Sequence, residues 1–249
     1  MSFREISPSS EFSSYVDAYW IFENKEQNKH SRILPDGFVD IIFNFGEKTE
    51  TLPAWNVGLS GAMTRFREVQ SLNNSSLMGV RFKPGGFLWP NNFPLASIKN
   101  TTILGTEFYP NFNSVFVEQL LEIKSIPGKI SLIERELHKI MIKDTNNSIY
   151  TISSVCSSIS SSIQFFSLSK LASIYNTSPR QLERKFKTKV GVTMKEYHSI
   201  ERFKKVVDQI KNHPEKSLLD IAYHFGYTDH SHLTNDFKKI AGITPSQLR

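Results

Sequence analysis

Cysteine is nearly absent from this 249-residue chain, which carries one, Cys156. A single thiol can form neither an internal disulfide nor a cysteine-rich zinc site, so a reducing compartment is expected. Long apolar runs are missing as well. Nowhere do about 18 uncharged apolar residues follow one another, and no membrane span is expected. Met1-Ser2-Phe3-Arg4-Glu5 has no apolar run behind its charges and does not read as a secretory leader. A cytoplasmic location is the resulting expectation. Catalytic signatures are equally scarce. Lys83-Pro84-Gly85-Gly86 lacks the lysine-then-hydroxyl ending of a phosphate loop and reads as a turn. No serine sits in a nucleophile-elbow pattern, and no Cys–His pairing points to thiol catalysis. His230 and His232 form a His-x-His pair, but zinc usually takes three or more protein ligands. Neither a metal nor a cofactor is expected, and the chain does not read as an enzyme.

What is present is positive charge in one place. Residues 1–148 carry 15 Lys+Arg against 16 Asp+Glu, whereas residues 149–249 carry 15 against 8. The whole net charge of +6 therefore comes from the C-terminal two-fifths. Such asymmetry fits a polyanionic partner for that region alone, although a basic soluble surface would have the same composition.

The N-terminal half reads as strands. Val39, Ile41, Phe43 and Phe45 fall on one face of a run whose other face carries Asp40 and Asn44; Met78, Val80 and Phe82 alternate with Gly79, Arg81 and Lys83. Turn formers separate these runs at Pro35-Asp36-Gly37, Gly58 to Gly61 and Pro84-Gly85-Gly86. Beyond Tyr109-Pro110 the period becomes helical, over Phe112 to Glu122 and Ile130 to Ile142. The fold class is α+β: a small β-sandwich or open barrel and two helices over residues 1–146, then an all-α domain over 147–249. Lys143 to Ser148 is the expected linker. The serine-rich stretch that follows carries Ile149, Ile152, Cys156, Ile159 and Ile163 at 3-4-3-4 spacing, the stripe of a helix rather than a tether. Cys156 lies on that stripe and reads as a packing residue.

The all-α region contains itself twice. Leu171-Ala172 matches Ile221-Ala222 and Ser178 matches Thr228 at an offset of 50. Leu182, Phe186, Lys187, Gly191 and Thr193 then match Leu233, Phe237, Lys238, Gly242 and Thr244 at 51, one residue having entered the second copy at its turn. Each copy has two short helices with a tight connection, the helix-turn-helix plan. Ser178-Pro179-Arg180-Gln181 opens the second helix of the first copy with a cap, a first-turn proline and a glutamine three residues after the cap. Thr228 or Asp229 can cap its counterpart. At about 100° per residue, Arg180, Glu183, Arg184 and Lys187 share one arc, opposite Leu182 and Phe186. Ser231, Thr234, Asn235 and Lys238 form the corresponding arc opposite Leu233 and Phe237. Polar arcs are ordinary on surface helices, and Glu183 to Lys187 is the spacing of a solvated ion pair. Two copies in one frame, within the only basic region, weigh the balance toward a double-stranded DNA partner: long side chains for base edges, Lys187 and Lys238 for phosphates. Tyr197, Ile200, Phe203, Val207 and Ile210 mark a long helix joining the copies.

Residues 149–249 resemble the DNA-binding domain of the AraC/XylS family of bacterial transcription regulators. The resemblance is carried by Leu171-Ala172, Ser178-Pro179-Arg180-Gln181-Leu182, Arg184, Phe186-Lys187, Asp220-Ile221-Ala222, Phe225-Gly226-Tyr227, Ser231-His232-Leu233, Phe237-Lys238-Lys239 and Gly242-Ile243-Thr244-Pro245. It implies that two helices enter successive major-groove segments, with base contacts from Arg180, Glu183, Arg184, His230, Ser231 and Asn235. Family members often carry arginine where this chain has Asn235, so sequence preference does not transfer. Ile33-Leu34-Pro35-Asp36-Gly37, Asp40 to Asn44 and Gly79 to Gly86 resemble a domain that precedes such DNA-binding domains in some members. That resemblance implies a role in effector response or pairing, with a small-molecule effector, a second copy of the chain and the transcription machinery as partners. Arg81, interrupting an apolar strand, has two readings: with Trp20 and Asp36 it holds an acidic ligand, or it pairs with Asp36 or Asp40 within the sheet. Trp55, Trp89 and the phenylalanines read as pocket or core, core being the commoner use. The rival functions are an enzyme in residues 1–148 with a DNA-targeting tail, and an interaction module that has lost DNA binding. The first lacks a thiol in residues 1–148; the second sits badly with Arg180, Arg184 and Lys187.

Overall fold

Alternating side chains set the two faces of the N-terminal sheet. The computed structural model describes residues 2–24, 29–71, 75–87, 95–141 and 148–249. Strands β1 (Ser2–Ile6), β2 (Val16–Asn24), β4 (Val39–Asn44), β5 (Val57–Ser60), β7 (Ser75–Phe82) and β8 (Thr102–Leu104) form an antiparallel sheet in the order β1-β2-β7-β4-β5-β8. Strands β3 (Lys29–Ile33) and β6 (Arg67–Ser71) pair separately. Tyr19, Ile21, Ile41, Phe43, Met78, Val80 and Phe82 are buried on one sheet face. Helices α1 (Ser114–Glu122) and α2 (Ile126–Met141) cover it. Phe43 meets Phe112 edge-on with ring centroids 5.7 Å apart, and the Tyr19 hydroxyl donates to Glu134 of α2 at 3.0 Å. The apolar stripes of these two helices are spent on this contact: Phe116, Val117, Leu120, Ile133 and Leu137 are all buried.

The C-terminal half is helical, with α3 (Ser148–Ser161), α4 (Leu168–Ile174), α5 (Pro179–Val190), α6 (Met194–Asn212), α7 (Leu218–His224) and α8 (His230–Ala241). The serine-rich segment is helix α3, as its apolar spacing predicts. Ile152, Cys156, Ile159 and Ile163 are buried; the Ile149 side chain lies outside the described residues. So do Trp89 and residues 142–147, which hold most of the expected linker and the 146/147 boundary. Burial pushes the Cys156 thiol up to about 12, which leaves it protonated and inert near neutral pH.

Among the described residues two apolar cores result, and their division does not follow the two domains expected from sequence. One core runs without a break from the sheet and α1–α2 into α3, α4, α5 and the start of α6, through Ile152, Val155, Leu171, Leu182, Phe186 and Tyr197. The other belongs to the second repeat, where Phe203, Val206 and Ile210 of α6 meet Ile221, Leu233, Phe237 and Ile240. The first helix-turn-helix unit is thus built onto the N-terminal domain, and the second is joined to it along α6.

A shared core makes the sheet and the first unit one cooperative block. All three tryptophans lie in the N-terminal half, while most helix lies in the C-terminal half. Thermal unfolding followed by tryptophan fluorescence should therefore coincide with the main loss of helical circular dichroism. A fluorescence transition complete before that loss begins would contradict a continuous core.

Candidate nucleic-acid interface

Helices α5 and α8 each begin at a side-chain cap and end at a left-handed glycine. The Ser178 hydroxyl accepts from the Gln181 amide at 3.3 Å while Gln181 Oε1 accepts from the Ser178 amide at 3.4 Å, a reciprocal cap with Pro179 in the first turn. In α8 it is Asp229 that caps, accepting from the His232 amide at 2.7 Å. Thr228 Oγ1 lies instead 3.2 Å from His232 Nδ1. Both helices stop at a glycine in the left-handed region, Gly191 at φ 87° and Gly242 at φ 72°. The amides of these glycines bond to the carbonyls of Lys187 and Lys238.

Each helix buries one face and exposes the other. Leu182, Phe186 and Val190 are buried in α5, and Leu233, Phe237 and Ile240 in α8. Arg180, Arg184 and Lys187 are exposed on α5; His230, Ser231, Asn235 and Lys238 are exposed on α8. Among the described residues, no acidic side chain is ion-paired with Arg180 or Arg184. Glu183 is placed differently. It is half-buried, and its carboxylate accepts from the Met194 amide at 3.3 Å. That amide is one of the unpaired donors at the start of α6, where the helix dipole also favours negative charge. Thr234, in the corresponding arc of α8, has a buried hydroxyl oxygen without a hydrogen-bond partner.

One supporting cluster is invisible to sequence periodicity. Asp236 of α8 accepts from Arg202 of α6 at 2.9 Å and from the Tyr227 hydroxyl at 2.9 Å, and the Arg202 guanidinium lies 4.0 Å from the Tyr227 ring centroid. It fixes α8 against α6 from the side away from the exposed arc. Its members lie 9 and 34 residues from Asp236, so no local pattern joins them.

Trp20, Asp36 and Arg81 do come together, on the second face of the sheet. Trp20 Nε1 donates to Asp40 at 2.7 Å, and the indole lies where a Cβ on Gly79 would stand. Arg81 Nη1 donates to Glu5 at 2.6 Å, and Arg81 Nε lies 3.7 Å from Asp36 and 3.9 Å from Asp40. Carboxylates of the chain itself therefore engage Arg81. Burial and the neighbouring Asp36 push the Asp40 carboxyl up to about 7, against the opposing pull of Arg81 and the Trp20 donor. Phe38 lies between two cations, Arg81 at 5.6 Å and Lys204 of α6 at 4.7 Å from its ring centroid. A separate cavity of about 410 Å³ is lined by Met63, Arg65, Phe66, Arg67, Glu68 and Asn100. Among the described residues no group of three or more His, Cys, Asp or Glu side chains is placed to hold a metal ion. No helix among them is long and apolar enough to cross a membrane.

Residues 171–249 match a family described as a helix-turn-helix domain. Over 79 residues the chain is 32% identical to the HTH-type transcriptional activator RhaS of Escherichia coli O157:H7, a match covering 32% of this chain and 28% of RhaS. The C-terminal region is a helix-turn-helix domain of the AraC type. The chain spans less than a third of the length of RhaS in that match. Fatty-acid-bound ToxT of Vibrio cholerae shares the fold over nearly the whole chain, with a TM-score of 0.50 at 14% identity, 91% of this chain and 92% of ToxT being covered. The C-terminal domain of AraT from Geobacillus stearothermophilus aligns with a TM-score of 0.38 at 24% identity, covering 39% of this chain and 82% of that one. Residues 4–104 match a domain of unknown function, DUF6597, and α1–α3 lie between the two matches.

The Asp40 carboxyl gives the N-terminal half a pH signature. A carboxyl raised above its unfolded value of about 3.9 stabilises the fold fully below that value. The contribution is lost as pH rises through about 7. Stability from this group should fall between those limits and level off above them, and Asp40→Asn should flatten that limb of a plot of Tm against pH. An unchanged slope in the variant would remove Asp40 as its source.

Proposed function

We propose that this protein is a sequence-specific, DNA-binding transcription regulator in which residues 147–249 bind double-stranded DNA and residues 1–146 modulate that binding. The observation that carries the reading is the duplicated exposed face: equivalent helices α5 and α8, each anchored by a buried Leu and Phe, each turning cationic and amide side chains to solvent within the only basic region. A major groove admits a helix of this kind, arginine being suited to guanine and asparagine to adenine. Arg180 and Arg184 of the first helix and His230, Ser231 and Asn235 of the second are the proposed base readers. Lys187 and Lys238 are the proposed phosphate contacts, which set register without reading sequence. Glu183, though on the same arc, is better suited to orienting α5 against α6 than to accepting a base donor, because its carboxylate already holds the Met194 amide. The N-terminal domain is the proposed site of regulation, by a small-molecule effector or by a second copy of the chain, and the transcription machinery is the proposed downstream partner.

Base contacts and phosphate contacts differ in what their loss does. Arg184→Ala should relax preference at one base pair, at a cost of about 1–3 kcal/mol for a bidentate contact. Lys238→Ala should weaken all duplexes alike and reduce the salt dependence of binding. Selection of bound sequences from a random duplex pool, run on both variants and the parent chain, separates the two. An Arg184→Ala variant with the parental base preference would strike it from the readers, and a parent chain with no preference at moderate salt would overturn the regulator assignment.

A further inference from the structure

The two proposed reading helices stand on different apolar cores. Along α6, about 28 Å long at 1.5 Å per residue, they share a support, and a second connection runs through the N-terminal domain. Leu95, buried in the 3₁₀ turn Leu95–Ile98, sits against Gly191, where an added Cβ would lie 3.1 Å from its side chain. Beside it Lys99 pairs with Glu196 of α6 at 2.8 Å. Phe66 sits against Gly242, whose Cβ would meet the ring at 2.4 Å, and the Phe66 amide donates to the Ile240 carbonyl at 2.7 Å. That carbonyl is among the last four of α8, which have no partner within the helix. Gly191 and Gly242 are the same position in the two repeats, so the N-terminal domain touches both reading helices at one equivalent point, the glycine that ends each.

The segments that make these two contacts are joined by the Gly61 amide, which donates to the Thr101 carbonyl at 3.0 Å, by the burial of Ala62, Leu95 and Ile98 in one core, and by Asn100. Asn100 Oδ1 accepts from the Thr64 amide at 2.7 Å, Asn100 Nδ2 donates to Thr64 Oγ1 at 3.0 Å, the Asn100 amide donates to the Ala62 carbonyl at 3.2 Å, and Arg67 donates to the Asn100 carbonyl at 3.0 Å. Asn100 does this from the left-handed region, at φ 61°, which asparagine tolerates better than most side chains. Phe66 is held in turn by Arg32, whose guanidinium lies 4.8 Å from the ring centroid and pairs with Glu68 at 2.7 Å. The 410 Å³ cavity lies beside Asn100, with Phe66 and Arg67 also in its lining.

We propose that residues 62–68 and 95–100, pinned by Asn100, form a brace that fixes the position of α8 relative to α5, making Asn100 and Phe66 positioning residues that determine which spacing of two half-sites the protein accepts. The consequence for DNA rests on the function proposed above; the geometry does not. Two measurements separate them. Spin labels on cysteines introduced by Lys185→Cys and Lys239→Cys, both exposed positions, with buried Cys156 left in place, report the distance between the helices without DNA. The parent chain should give a narrow distribution. Asn100→Gly, which keeps the backbone conformation and removes the amide, should broaden or shift it, as should Phe66→Ala, while Asn100→Asp, which keeps the acceptor for Thr64, should stay near the parent. The same chains are then titrated with duplexes from the selection experiment whose half-sites are moved apart or together by one base pair. The parent should discriminate at least about tenfold and Asn100→Gly less than about threefold, with binding to a single half-site unchanged. A parental distance distribution in both Asn100→Gly and Phe66→Ala overturns the brace. A broadened distribution with no sequence preference in the parent upholds the brace and overturns the DNA reading instead.

Discussion

Everything positional in this protein depends on one apolar continuity, the core that passes from the sheet through α3 into the first helix-turn-helix unit. Ile152, Val155 and Ile159 on one stripe of α3 lie in the same cluster as Val80 and Phe82 of the sheet and Leu182 and Phe186 of α5. Because protein interiors are close-packed and shift little without repacking, a displacement of the sheet is felt by α5 as a rigid neighbour would feel it. Mechanically the chain divides near the middle of α6, where the first core gives way to the second. An N-terminal domain sharing a core with α5, and meeting α8 through Phe66, is placed to influence how the two proposed reading helices stand to one another.

Much of this was legible in the sequence, and the legible part is the local part. The reciprocal cap of Ser178 and Gln181, the proline after it, and the left-handed glycines at 191 and 242 are decided within a few residues, so spacing alone finds them. The 3-4 spacing of Ile152, Cys156, Ile159 and Ile163 overrode a serine-rich composition that looks like a linker, because burial follows periodicity and the serines merely occupy the other faces. Strands β4 and β7 followed their alternation for the same reason.

The rest was not legible because it is made by contacts between distant residues of ordinary type. Glu183 shares an arc with Arg180 and Arg184, and helical geometry cannot tell that the Met194 amide, eleven residues on, takes its carboxylate. Arg81 left two readings open in sequence; in the structure Glu5, Asp36 and Asp40 surround it, and Glu5 comes from an edge strand that no motif connects to it. Asn100 gives no signal at all beyond its residue type. Its importance lies in a left-handed backbone and a hydrogen-bonded partner at residue 64.

On the function proposed above, these long-range contacts matter to sequence recognition because charge cannot supply it. Phosphate attraction, to which the positive balance of residues 149–249 contributes, is the same for every duplex and favours all sites together. Discrimination needs base contacts from both helices at once, and once α5 is seated the engagement of α8 is an intramolecular step. Its yield depends on how narrowly α8 is held at the required distance, since an effective concentration is spread thin by every extra position the second module can take. The Arg202–Asp236–Tyr227 cluster joins α8 to α6, and Phe66 holds the C-terminal end of α8 through the Ile240 carbonyl. None of these residues lies on the exposed arcs that face solvent. On the brace proposed above, recognition by such a molecule is tunable from surfaces that never meet a base, the stretch around Asn100 among them.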